Sequence, residues 1–359
     1  MIIFAVAMPP LINGQTVANS KVVEEVRNSK IKFIVYDIGP GTWLGLFYHL
    51  LRVFRILRAI CGIFGFYYKR EKFSVYYVYE SGLGYLYNLI LVSVARFLSA
   101  EKIYMHHHTS EHTLRKSKRF DFLKRAAGMR LHNIFLSCKM ANNVRDLYDD
   151  GVSYSILENY SIVSRPENLS VSWCGGKIVI GYISNITYEK GFSQVLEVFS
   201  SLRKNRINFE LRIAGPYKSD KIGRELKYLS EEFFDQFFYY GPIYGAEKEK
   251  FYSDCDILLF PSRYKYEAQP LVVLESLAHG KPCISSDAGY CREILDNIKG
   301  LPVVPVENYT SDTVKIIKQI CASPDAYFDV ATQCHERFIY MLKRSKINMS
   351  ELLDEFSNI

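Results

Sequence analysis

The stretch DILLFPSRYKYEAQPLVVLESLAHGKPCISSD, residues 256–287, contains one complete strand–helix–strand unit. "DILLF" is a continuous apolar run of strand length, closed by Pro261 and Ser262. A helix is predicted after Gln269. Pro270 fits its first turn, where a missing N–H is no loss and the fixed φ is already helical. Gly280 is a stop signal with Pro282 just beyond it, and "PCISSD" reads as the next strand. Strands that alternate with helices imply parallel sheets with right-handed crossovers.

The same alternation extends in both directions. Upstream run "IIFAVA", a helix over 16–28, "IKFIVYDI", "FSVYYVY", a helix from about Leu83 to Leu98, "KIYMHHH", "NIFLSC", a helix over 139–149 and "YSILEN". A polar stretch, "YSIVSRPENLSVSWCGGK", interrupts it. The pattern then restarts with "IVIGYIS", a helix over 191–204, "FELRIAG", "FFYYG" and a helix near 246–253. At 359 residues the chain exceeds one ordinary core. The expected class is α/β, with two doubly wound parallel-sheet domains facing a cleft. The expected domains are 1–165, 176–325 and a helical segment 326–359 that packs back on the first. Ligands in such sheets sit at the carboxyl ends of strands, so residues just after strands carry the interest.

Composition narrows the classes further. Hydrophobic content of 48% and charged content of 23% fit a folded globular chain. The eight cysteines form no CxxC and no regular spacing, which argues against a disulfide framework or zinc site and fits a reducing cytoplasm. "MIIFAVAMPPLINGQ" has no basic n-region and reads as a buried strand rather than a signal peptide. The most apolar stretch, 43–68, is interrupted by Arg52, Arg55 and Arg58. Their spacing of three sets them along one side of a helix, near Leu51, Phe54 and Leu57. Such a helix suits an anionic membrane surface. A second basic cluster covers Arg115, Lys116, Lys118, Arg119, Lys124, Arg125 and Arg130. For both clusters a solvated face backed by a core face is the competing reading. A net charge of +7 with no nucleic-acid motif gives no support for a nucleic-acid partner.

The chemistry concentrates around the helix after Gln269. Its N-terminus offers free N–H groups and partial positive charge, a site for a diphosphate. Glu267 stands just ahead, within reach of sugar hydroxyls. Glu275 lies between one and two turns into the helix, where a carboxylate can accept two vicinal ribose hydroxyls. Two solvated helix carboxylates would show the same spacing.

"EAQPLVVLESLAHGKPCISS", preceded by "FPS", resembles the signature of the retaining glycosyltransferases of family 4, which have the GT-B fold. That resemblance implies a donor-sugar role for Glu267 and a ribose role for Glu275, with the helix start at Gln269, Pro270 and Leu271 beside the phosphates. "GYISNITYEKGF" resembles the family segment whose lysine contacts the donor diphosphate, a role that falls on Lys190. "LRIAGP" and "YYGPI" resemble the next strand ends, implying that Gly215 and Ile243 lie near base or phosphates. "PPLINGQT" resembles the glycine-containing first loop and places Gly14 by the phosphates and sugar. "YMHHHTS" resembles the strand end whose histidine lies beside the sugar; His108 aligns best, with His106 in reserve. The chain departs from the pattern twice. Ser184-Asn185 stands where many members have Gly-Arg, so Asn185 brings no charge to the diphosphate. "AQP" replaces the usual glycine-containing turn after the first glutamate.

Two further motifs invite a metal. His106, His107 and His108 are adjacent strand residues, which point alternately to opposite faces and do not converge. Asp254-Cys255-Asp256 spells a DxD, but it precedes its strand and reads as a helix stop and strand entry. No metal or other cofactor is expected. The expected activity is retaining transfer of a hexose from a nucleotide-diphosphate donor to a saccharide or lipid-diphosphate-linked acceptor. Bacterial surface polysaccharide synthesis is the expected setting, in the cytoplasm or on the inner face of the membrane. A GT-B epimerase or hydrolase, and a silent nucleotide-sugar-binding subunit, are the alternatives.

Overall fold

The computed structural model describes residues 1–358 apart from 10–13, 40–45, 83, 149–150, 152 and 167–172. The chain divides into two compact units: Met1–Ile162 with Lys343–Ile359, and Val163–Leu342.

The first unit runs β1 (Ile2–Val6), α1 (Gly14–Asn28), β2 (Phe33–Asp37), α2 (Leu46–Tyr68), β3 (Ser74–Val78), α3 (Gly84–Phe97), β4 (Ile103–His107), α4 (Glu111–Leu114), α5 (Lys118–Ala127), β5 (Leu131–Phe135), α6 (Cys138–Tyr148) and β6 (Tyr154–Ile156). Its sheet is parallel, in the order β2-β1-β3-β4-β5-β6, and Ile3 pairs with Ile34 on one side and Val75 on the other. The inner strands β1, β3, β4 and β5 are buried throughout. That explains their near-continuous apolar sequences, since helices cover both faces of such a sheet. One core cluster gathers Phe4, Val22, Val26, Tyr76, Tyr104 and Phe356.

The second unit runs β7 (Ile178–Ile183), α7 (Phe192–Lys204), β8 (Phe209–Ala214), α8 (Asp220–Glu232), β9 (Phe237–Tyr239), α9 (Gly245–Asp254), β10 (Ile257–Phe260), α10 (Leu271–Ala278), β11 (Cys283–Ser285), α11 (Cys291–Ile294), α12 (Tyr309–Ile320) and α13 (Pro324–Ser357). Its five-stranded parallel sheet has the order β11-β10-β7-β8-β9. The direction of winding therefore reverses between β7 and β10. A crevice for a ligand opens at such a switch point, outside the carboxyl ends of the strands.

The basic helix is turned the other way from its expected orientation. Arg52 is buried, paired with Glu80, and its guanidinium lies 4.7 Å above the Tyr87 ring. Arg55 pairs with Asp37 and donates to the Gly39 carbonyl. Asp37 ends β2 and Glu80 follows β3, so carboxylates at two strand ends draw these arginines inward. Arg58 alone of the three remains exposed.

Residues 343–357 of α13 belong to the first unit and are anchored there by Glu158. This fully buried carboxylate accepts from Arg344 Nε at 2.8 Å and Asn348 Nδ2 at 2.7 Å, and the Glu158 carbonyl accepts from Ser345 Oγ at 2.9 Å. Removing one member of a buried, charge-assisted set costs about 3 kcal/mol. Glu158→Ala should accordingly lower the unfolding free energy of the first unit by that amount, read as a lower urea midpoint in the loss of circular dichroism.

Candidate active site

The loops after β7 and β10 meet at the switch point, and a glycine allows it. Gly191 has φ +84°, and a Cβ there would lie 2.0 Å from the Pro261 carbonyl oxygen. Only a residue without a side chain permits that approach. The two loops are also joined by Arg263 N–H donating to the Glu189 carbonyl at 2.8 Å. Their closeness brings Lys190 Nζ into an ion pair with Glu267 Oε1, and Ser262 Oγ donates to the same oxygen at 2.9 Å. Lys190 also lies 5.2 Å from the centre of the Tyr264 ring. Behind the pair, Ser286 Oγ donates to the Ser262 carbonyl at 2.6 Å and Tyr290 N–H to the Glu267 carbonyl at 3.2 Å. Glu267 is buried and held on three sides, whereas Lys190 is partly exposed.

Pro270 stands at the N-cap of α10, one position before the helix proper, and no side chain caps the first turn. Its N–H groups therefore lack a capping side chain and are available to an anion. Glu275 is the fifth residue of α10. Lys248 Nζ approaches its Oε1 at 2.5 Å, and Tyr252 O–H donates to Oε2 at 2.7 Å. Burial raises the Tyr252 phenol well above its ordinary range, so it keeps its proton and donates it. A carboxylate has about four acceptor positions. With two engaged, Glu275 retains capacity for a vicinal diol.

The remaining predicted residues of this unit fall at neighbouring strand ends. Ser184-Asn185 follows β7, with Asn185 exposed. Gly215 follows β8 at φ +123°, and a Cβ there would lie 1.8 Å from the Ser184 carbonyl oxygen, so this crossing also requires glycine. Gln269 is buried beside the helix start. Ile243, beyond β9, lines a cavity of about 240 Å³ with Arg212, Tyr240 and Phe251. Sequence reasoning missed Lys248 and Tyr252. Both lie on α9, more than twenty residues before the glutamate they hold.

Within the first unit, Gly14 is the first residue of α1, and the loop residues 10–13 lie outside the described residues. His106 and His108 share a side of β4, their ring centres 4.1 Å apart, and His107 points to the other. Tyr76 O–H meets His106 Nδ1 at 2.5 Å, which leaves the His106 proton on Nε2. His107 Nε2 donates to Asn133 Oδ1 at 3.0 Å, and His107 Nδ1 accepts from His112 Nε2 at 2.8 Å, while its ring stacks on Phe135. His107 is thereby committed to the core. His108 Nε2 has no hydrogen-bond partner. Burial pushes His108 down to about 4 and His107 to about 3, and holds His106 and His112 well below the usual imidazole range.

Asp254 closes α9 and contacts Lys250 at 2.8 Å and Arg212 at 3.5 Å; Asp256 Oδ2 accepts from Val179 N–H at 2.8 Å. Both stand at the amino end of β10. Among the described residues no group of three or more His, Cys, Asp or Glu is placed to hold a metal ion.

Two parallel α/β sheets, one with a lysine, two carboxylates and a helix N-terminus at its switch point, define a nucleotide-binding class of protein. Residues 170–327 match the family described as Glycosyl transferases group 1. The fold of the chain is GT-B. The sucrose-phosphate synthase of Thermosynechococcus elongatus superposes with a TM-score of 0.72 at 15% identity, covering 100% of this chain and 99% of that one. HepE of Anabaena, solved with UDP, gives 0.67 at 12% identity over 100% of both chains. In sequence, a lipopolysaccharide 1,2-N-acetylglucosaminetransferase of Salmonella typhimurium is 30% identical over 144 residues, 38% of this chain and 37% of the relative. An alpha-monoglucosyldiacylglycerol synthase of Streptococcus pneumoniae is 32% identical over 117 residues, 32% of this chain and 25% of the relative. The matched stretches thus span well under half of either relative.

The buried histidines set a pH dependence. Unfolded, each takes a proton near pH 6.5; folded, His108 and His107 resist protonation until about 4 and 3. The unfolded state binds more protons below 6.5, so stability is full above that pH and is lost as pH falls towards 4. Thermal midpoints should decline over that window, and His107→Gln should flatten the decline relative to its own value at neutral pH.

Proposed function

We propose that the chain transfers a hexose from a nucleoside-diphosphate sugar to a saccharide or lipid-linked saccharide, with retention of configuration. The observation that carries this reading is the Lys190–Glu267 pair at the β7/β10 switch point, with Glu275 on the helix that starts just beyond it. Lys190 and the first turn of α10 would take the diphosphate, with Gly215 and Asn185 at the adjoining strand ends. Glu267 would hold the sugar hydroxyls and Glu275 the ribose diol. Gly14 and His108 are assigned to phosphate and sugar by the family resemblance, and the Nε2 atom of His108, which lacks a protein partner, supports its assignment.

The bond from the anomeric carbon to the phosphate oxygen breaks as the bond to the acceptor oxygen forms on the same face. The acceptor proton passes to the leaving phosphate, so no enzymic nucleophile is needed. Stabilising the charge that develops on that leaving group is the main demand on the protein. Lys190 and the helix N-terminus supply it, and Asn185 contributes a neutral donor where relatives of the family place arginine. This assignment needs no divalent metal. The named activities of the two sequence relatives favour a glycolipid or lipopolysaccharide acceptor.

Calorimetric titration with UDP, GDP, ADP and dTDP tests the donor site, with UDP expected to bind. Glu275→Ala should lose about ten- to a hundred-fold in affinity, the effect of removing a charged hydrogen-bond partner worth about 1.5–3 kcal/mol. Added EDTA should leave the titration unchanged. Equal binding by the variant would reduce Glu275 to a structural carboxylate.

A further inference from the structure

The outward faces of α2 and α3 are apolar. On α2, Leu50, Phe54, Leu57, Phe64 and Tyr68 are exposed, Phe54 at 64% and Tyr68 at 89%. Their spacing of three and four residues sets them in one stripe along the helix. Ile56, Ala59 and Ile63, on the opposite side, are buried against the unit. On α3, Leu86, Ile90 and Phe97 form a second exposed stripe, Phe97 at 80%. Helix α3 packs against both α2 and α5. Single exposed apolar side chains are ordinary, but two adjoining stripes make a contiguous patch of the kind that marks an interaction surface.

Charge indicates what covers it. Neither α2 nor α3 contains an Asp or Glu. Arg58 flanks the α2 stripe, and Lys69 and Arg70 follow its end, with Glu71 the next residue. On the other border Lys118 and Arg119 of α5 are exposed, the Arg119 guanidinium 5.9 Å from the centre of the Tyr85 ring on α3. An apolar face with a cationic rim complements an anionic lipid surface, in which acyl chains lie beneath phosphates. A second copy is a poorer occupant, because a two-fold contact would set the same cationic rim against itself. Among the described residues no helix is long and apolar enough to cross a membrane.

We infer that α2 and α3 form an interfacial docking face for an anionic bilayer. Phe54, Leu57 and Phe64 enter the boundary between headgroups and acyl chains, and Arg58, Lys69 and Arg119 meet lipid phosphates. The inward pairing of Arg52 and Arg55 is part of the arrangement, since it leaves apolar groups to occupy the outer side. This docking needs no nucleotide and stands or falls separately from the donor-site assignment.

Vesicle sedimentation of the full chain tests it, with phosphatidylcholine alone and with added phosphatidylglycerol. The chain should pellet with the phosphatidylglycerol vesicles, and less so at high salt. Phe54→Ser with Leu57→Ser should weaken partitioning roughly tenfold or more, the effect of withdrawing two large apolar groups. Phe234→Ser, an exposed aromatic of the second unit, should leave it unchanged. Phe64→Trp should shift its emission to the blue on adding the anionic vesicles. Failure of the wild-type chain to pellet with them, or equal loss in Phe234→Ser, would overturn the inference. So would a dimer by light scattering that the double substitution returns to monomer, which would assign the face to a second copy.

Discussion

The side chains of Lys190 and Glu267 meet because two loops at the reversal of the second sheet lie in van der Waals contact. That contact holds only while residue 191 carries no side chain, with the Pro261 carbonyl 2.0 Å from where a Cβ would sit. Parallel winding supplies the loops at one end of the sheet, and the change of direction between β7 and β10 opens a crevice outside the strand ends there. Lys190, Glu267 and the start of α10, the second-unit groups proposed to meet the donor, are positioned by this crossing. The lysine comes from one loop, the glutamate from the other, and the helix N-terminus from the chain that follows.

The two glutamates of the site are held alike. Glu267 meets a lysine and the hydroxyl of Ser262, and Glu275 meets a lysine and the hydroxyl of Tyr252. Each carboxylate is charge-balanced and fixed in direction, with acceptor positions to spare. A carboxylate buried without such partners would hold its charge at high cost. Here each faces a lysine and a hydroxyl and keeps acceptor positions open, and hydrogen bonds from neutral hydroxyls to a carboxylate are about twice as strong as those between neutral groups.

The alternation of strands and helices was legible because continuous apolar runs such as "DILLF" and "IVIGYIS" announce doubly covered parallel strands. The site's frame was legible too, since glycine, proline and glutamate mark the helix of residues 271–278 by local chemistry. What escaped depends on partners remote in sequence. Helical spacing placed Arg52 and Arg55 along one side of α2, but could not show that Glu80 and Asp37 wait at the ends of two strands beneath that side. Lys248 and Tyr252 carried no motif, because their role exists only where α9 meets α10. Helix α8 carries a charged, unpunctuated sequence and gave no element at all, although Ile222 and Leu226 anchor it.

Helix α13 imposes an order on synthesis. Its residues Met349, Leu352 and Phe356 belong to the same core as Phe4, Val22 and Tyr76, and its Arg344 and Asn348 satisfy the buried carboxylate of Glu158. Those residues leave the ribosome after all of the second unit has emerged. Domains ordinarily fold in the order they are made, first the N-terminal and then the next. In this chain the second unit has its whole sheet available while the first still exposes one wall of its core and a buried-type glutamate without partners. The nascent first unit must therefore stay open, with an aggregation-prone apolar surface, for the time taken to translate some 180 residues.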